Sequence, residues 1–134
     1  MSDKQINIKE ISTEALAYLG DSVIEICVRE YLVECGLSSS ARLNAAALDF
    51  VRASKQAEAM ERIQSLLTEE EEQVFKRGRN LGHNATPKSA TMSEYRAATG
   101  MEALFGWLKL SCREDRIKEL FRAAYETDKK ENNQ

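Results

Sequence analysis

From Thr13 to Cys35 the chain has the makings of one helix of more than 20 residues, and its segment Glu14–Glu25, EALAYLGDSVIE, sets an ionisable Asp21 beside Gly20. Ser12 or Thr13 can cap the start, Glu14 falls in the first turn where the helix dipole favours an anion, and Gly36 is a stop signal. A helix that long is expected to be a central element. Leu16, Leu19, Val23, Ile24, Ile26, Cys27 and Val28 surround Asp21, which predicts a helix buried on most sides. A carboxylate there needs water, a cation or hydrogen-bond donors. Glu14, Asp21 and Glu25 lie near one helix face, so spacing alone favours a solvated acidic stripe. The alternative is a metal ligand set on a rigid helix.

The rest of the chain is equally helical in character. One Pro and six Gly in 134 residues leave little to break helices, so the fold class is expected to be all-α. Ala41–Val51 reads as a second helix, after a Ser38–Ser40 connector. Ser54 could cap a third from Lys55 to Leu67, with Ala57, Met60, Ile63 and Leu67 inward; a break at Ala53–Ser54 is left open. Thr68 and Glu71 form a capping box, and the acids Glu69–Glu72 are helix-start chemistry. Thr91 and Glu94 repeat the box before Met92–Leu110, and a last helix from Arg113 to Tyr125 should bury Ile117, Leu120 and Phe121. Residues 1–134 read as a single domain, with a core over 12–126 and a polar, disordered tail over 127–134. No apolar run reaches the ~20 residues of a membrane span. MSDKQINIKE carries no apolar signal segment, so a cytoplasmic protein without membrane contact is expected. Cys27, Cys35 and Cys112 show no zinc spacing and read as reduced thiols.

The net charge of −3, from 22 acidic and 19 basic residues, argues against a polybasic surface overall. Locally the sign reverses. Between positions 76 and 96, Lys76, Arg77, Arg79, Lys88 and Arg96 face one acid, Glu94. Gly78, Gly82 and Pro87 predict a basic loop from Gly78 to Ala90, in which Arg and Asn side chains suit phosphate and ribose contacts. His83, the only His, cannot begin a His-based metal site. The Met92–Leu110 helix is largely apolar yet holds Glu102, with the small residues Thr99 and Gly106 one turn to either side, so its face should be open. Two such helices, each with one inward-capable carboxylate, make an oxygen-donor site for Mg²⁺ or Mn²⁺.

LAYLGDSVIE and YRAATGMEALFGWLKL resemble the two signature segments of the ribonuclease III catalytic domain. Together with the intervening KRGRN and the short length, they are similar to Mini-ribonuclease III, the stand-alone bacterial form of that family, from about Glu14 to Tyr125. The resemblance implies a ribonuclease III-like helical bundle without a double-stranded-RNA-binding domain. It implies Mg²⁺-dependent cleavage of double-stranded RNA to 5′-phosphomonoesters by a homodimer, with maturation of large-subunit (23S) ribosomal RNA precursor ends and a possible ribosomal partner. Asp21 and Glu102 match the family's catalytic, metal-holding carboxylates; Glu14 and Thr99 fall one step out from the metal. Arg77, Arg79, Asn80, Lys88 and Arg96 would hold RNA. Ala17 and Thr99 stand where the wider family has further acids. The helix of the first motif is expected at the dimer interface. Two rival functions are a catalytically silent double-stranded-RNA-binding or assembly module and a Mg²⁺-dependent nucleotide phosphohydrolase. An HD-type enzyme is excluded, because His83 is followed by Asn84.

Overall fold

A computed structural model describes residues 7–81 and 90–126, and among these the chain is all-α, with no strand. Six helices follow in order: α1 (Thr13–Glu34), α2 (Ser40–Val51), α3 (Ala53–Ile63), α4 (Glu69–Arg79), α5 (Met92–Leu110) and α6 (Glu114–Phe121). Short 3₁₀ turns occupy Ile8–Glu10 and Gln64–Leu66, and a π turn, Arg122–Glu126, follows α6. The tail 127–134, the residues 82–89 of the expected basic loop and the first six residues lie outside the described part.

The helix starts are local chemistry. Ser12 caps α1 by accepting from the Ala15 amide at 3.1 Å. Both capping boxes form: Thr68 and Thr91 accept from the amides of Glu71 and Glu94, whose carboxylates accept from the Thr amides at 2.9 Å. Gly36, at φ +93°, ends α1, and Cys112, at φ +59°, ends α5 in the same left-handed way. Some details differ from expectation. The break between α2 and α3 falls at Arg52, whose extended backbone turns the chain without any side-chain cap. The inward face of α3 is Gln56, Ala59, Met60 and Ile63, so Met60 and Ile63 point inward as expected while Ala57 and Leu67 are only half-buried. α4 runs through Gly78 to Arg79, because Gly78 lies against Gly100 and Ala103 of α5, where a Cβ would come within 2.8 Å of both.

α5 is the most enclosed helix, and α1 packs along it. From Ala98 to Leu108 every residue of it except Glu102 is buried, and α1, α3, α4 and α6 all pack on it. α1 is correspondingly one-sided. Leu16, Ala17, Gly20, Val23, Ile24, Val28 and Leu32 are buried, while Ile26, expected inside, is 57% exposed, and Tyr18 and Val33 are 86% and 61% exposed.

One ion pair docks α6. Glu71, only 1% exposed, receives two hydrogen bonds from Arg116, Nε at 2.9 Å and Nη2 at 2.8 Å, and Arg116 also donates to the Leu66 carbonyl at 2.7 Å. Burial works to raise the Glu71 carboxyl, but the bonds from Arg116 and Thr68 outweigh it and hold it below the usual carboxylate range. The four-acid run therefore caps α4 and also holds α6. Arg116→Ala would strand a buried carboxylate, and urea unfolding should show a loss of about 3 kcal/mol. A loss under about 0.5 kcal/mol, the size of an exposed pair, would mean that water replaces the guanidinium.

Candidate active site

α1 and α5 touch backbone to backbone. A Cβ placed on Gly20 would overlap the Glu102 carbonyl and stand 2.9 Å from the Gly106 nitrogen. One placed on Gly106 would overlap the Leu16 carbonyl and stand 3.1 Å from the Gly20 nitrogen. Helices that meet through side chains keep their axes about 8–10 Å apart, and the two glycines remove that spacing. Gly106 therefore does not open the Glu102 face, as its small size predicted; it closes it against α1. Asp21 follows Gly20 directly, so the contact delivers its carboxyl to that of Glu102.

Glu102 records the result. Its carboxyl is pushed up from 4.5 to about 8, first by burial, then by the like charge of Asp21 and by a hydrogen bond with the Asp21 side chain. Near neutral pH the two carboxyls thus hold a proton at Glu102. Asp21 itself is exposed, contrary to the enclosed position expected of it. The face of α1 carrying Tyr18, Asp21, Ser22 and Glu25 is turned outward, so the enclosed acid of the pair is Glu102. Glu25 pairs with Arg29 at 2.7 Å. Glu14 is exposed and, seven residues earlier, about 10 Å away along the helix axis. Among the described residues no third His, Cys, Asp or Glu joins the pair. Ala17 and Thr99, each about one turn before an acid, are buried, and the Thr99 hydroxyl donates to the Tyr95 carbonyl at 3.0 Å.

The raised carboxyl gives a signed expectation. Glu102 binds its proton more tightly folded than unfolded, so its contribution to stability is complete below about pH 4.5 and is lost as the pH rises through about 8. Glu102→Gln cannot ionise. In EDTA it should melt above wild type at pH values above 8 and level with it below 4.5; an equal difference at both ends would show that Glu102 is not held protonated by the fold.

Two clefts open along α5, and Glu102 lines the first of them. One, of about 690 Å³, is lined by Tyr95, Thr99 and Glu102 of α5 and by Arg52, Ser54 and Gln56 at the α2–α3 junction. The other, of about 370 Å³, lies where α4 ends and α5 begins, and brings together Arg79, Asn80 and Arg96 with Met92 and Ser93. The Arg79 guanidinium sits 5.7 Å over the Phe75 ring, and its Nε donates to Asn80 at 3.4 Å. Arg77 is exposed and does not line this cleft; Lys88 lies outside the described residues. The sequence reading missed Gln56 and Arg52. Gln56 shares a helical face with Ala59, Met60 and Ile63, and only the fold shows that this face is the buried one.

Residues 14–113 match the model of the ribonuclease III domain, and the chain belongs to that family. Its fold is thus that of a ribonuclease III-family double-stranded-RNA endoribonuclease. Within the family its relatives are Mini-ribonuclease 3 proteins. That of Enterococcus faecalis is 41% identical over 114 residues, covering 84% of this chain and 86% of the relative. That of Symbiobacterium thermophilum is 44% identical over 109 residues, covering 81% and 84%. A Fusobacterium nucleatum protein solved by X-ray crystallography superposes with a TM-score of 0.82 at 30% identity, over 92% of this chain and 99% of that one.

Proposed function

We propose that Asp21 and Glu102 are the catalytic carboxylates and that together they hold Mg²⁺, with Mn²⁺ suited to the same oxygen donors. The observation that carries this is a pair of carboxyls pressed together by a glycine-mediated helix contact, with burial and the Asp21 charge keeping a proton on Glu102. Among the described residues the shift of Glu102 comes from burial and Asp21 with no positive side chain, and a divalent cation supplies a counter-charge once Glu102 ionises. Two carboxyl oxygens and no nitrogen or sulfur donor fit a cation that keeps most of its water. When bound, such a cation supplies Lewis-acid stabilisation of the charge that develops on a phosphodiester undergoing hydrolysis.

The chain's own residues divide the remaining work. Exposed Asp21 can approach the RNA backbone, and Glu102 must release its proton to act as a ligand, which ties cation binding to pH. Arg79, Asn80 and Arg96, gathered in one cleft, suit phosphate and 2′-hydroxyl contacts on A-form RNA, with exposed Arg77 and Lys88 adding charge. Glu14 and Thr99 support the site from a turn or more away. Residues 1–134 act as a single catalytic domain in a homodimer, each site cutting one strand. The outward Tyr18, Ile26 and Val33 of α1 favour α1 as the dimer face. By resemblance, the substrate is the precursor of large-subunit ribosomal RNA, in the cytoplasm and in contact with a ribosome precursor or ribosomal protein.

Incubation with duplex RNA and Mg²⁺, beside an EDTA control, tests this directly. Staggered products with 5′-phosphate and 3′-hydroxyl ends, formed only without EDTA, are expected, and sedimentation equilibrium should return twice the chain mass. Cleavage that persists in EDTA would overturn the metal assignment, and a monomer at micromolar concentration the dimer.

A further inference from the structure

Gln56 is the least explained side chain near the site. It is 3% exposed and shares its helix face with the fully buried Ala59, Met60 and Ile63, where a leucine would satisfy the core. Among the described residues its carboxamide makes no hydrogen bond, although it carries two donors and a two-lone-pair acceptor. Buried polar groups normally have partners, because removing them from water unpaired is costly. Gln56 lines the cleft that also holds Glu102. On the same wall stand Ser54 and Arg52, and exposed Arg52 makes no ion pair among the described residues. Arg52 is at the N-cap of α3, a helix of 11 residues whose first amides receive no side-chain cap.

We propose that this cleft is a ribonucleotide subsite, in which the Gln56 carboxamide takes a ribose 2′-hydroxyl beside the cut bond and Arg52, with the uncapped α3 amides, takes the adjoining phosphate. A hydroxyl that both donates and accepts complements a carboxamide, and it is the group that distinguishes RNA from DNA. A guanidinium at a helix N-terminus complements a phosphate. Gln56 is then a specificity residue, on the wall of the cleft that Glu102 also lines. The assignment rests on Asp21 and Glu102 marking the cleavage site.

A chemical mutant cycle tests it. Wild type and Gln56→Leu are each given a duplex RNA cut at a mapped position, either all-ribo or with one 2′-deoxy nucleotide at successive positions around the cut. Single-turnover rates in Mg²⁺ and binding by fluorescence anisotropy in EDTA are both read. Wild type should lose about tenfold at one deoxy position, the worth of one hydrogen bond. Gln56→Leu should lose about the same on the all-ribo duplex and nothing more at that deoxy position. A deoxy penalty that persists undiminished in Gln56→Leu makes Gln56 structural and overturns the proposal, as does a wild type indifferent to every deoxy position. If Gln56→Leu fails to fold, Gln56→Met carries the same cycle. Arg52→Ala, at an exposed position, should shrink the salt slope of binding by about one; an unchanged slope removes the phosphate half of the subsite. A wild type that binds but does not cleave the all-ribo duplex would instead defeat the catalytic assignment, while the binding cycle still judges Gln56.

Discussion

Asp21→Asn is expected to lower the cleavage rate of duplex RNA by at least about a thousandfold in Mg²⁺, the equivalent of the several kcal/mol that a carboxylate-held cation gives a developing phosphoryl charge. The protein itself should not suffer. Asp21 is exposed, and its charge raises the carboxyl of Glu102, so removing it relieves a like-charge contact. The metal-free variant should therefore melt at or above the wild-type temperature near pH 8 while losing activity, a combination that misfolding cannot produce. Rates within a few-fold of wild type would remove Asp21 from the catalytic pair. A lower melting temperature would mean that Asp21 holds the fold together by a contact other than the one with Glu102.

Gly20→Ala should do the opposite and damage both fold and site. The added Cβ would overlap the Glu102 carbonyl, backbone that cannot rotate aside, so α1 must back away from α5. Overpacking a tight core costs about 1–3 kcal/mol, and more where backbone is struck. That is a large share of a typical stability of about 5–15 kcal/mol. Denaturant midpoints should show it, and cleavage should fall further than the loss of folded protein explains, because the acids are separated. Gly36→Ala is the control. Gly36 lies at φ +93° with nothing within 4 Å of an added Cβ, so only backbone strain of about 1–2 kcal/mol is at stake. Equal midpoints for the two variants would mean that the α1–α5 crossing has slack.

The all-α class and most helix limits were legible in the sequence, because they rest on contacts within a few residues. Ser12, Thr68 with Glu71, Thr91 with Glu94, and Gly36 each act on their own helix end. Reading failed where a residue answers to a distant neighbour. Gly78 carries the mark of a loop, yet it sits inside α4 because α5 comes within reach of its missing side chain. Glu71 reads as helix-start chemistry, and its second role depends on Arg116, 45 residues away. Gln56 cannot be singled out from the sequence, because a lone glutamine carries no pattern until its helix face is known.

Asp21 and Glu102 illustrate the division. Their presence in two nearly apolar helices, and the likeness of those helices to the ribonuclease III motifs, could be read from residue order alone. Which of the two is enclosed could not. Apolar neighbours along a helix do not say which of its sides meets another helix, and α1 buries one side while α5 is wrapped on all of them. Tertiary packing alone decided that Gly20 and Gly106 let two backbones touch, that Asp21 faces outward, and that Glu102 holds its proton to about pH 8. The physical reason is that burial and like-charge repulsion act through space, between two acids separated by 80 residues of intervening chain.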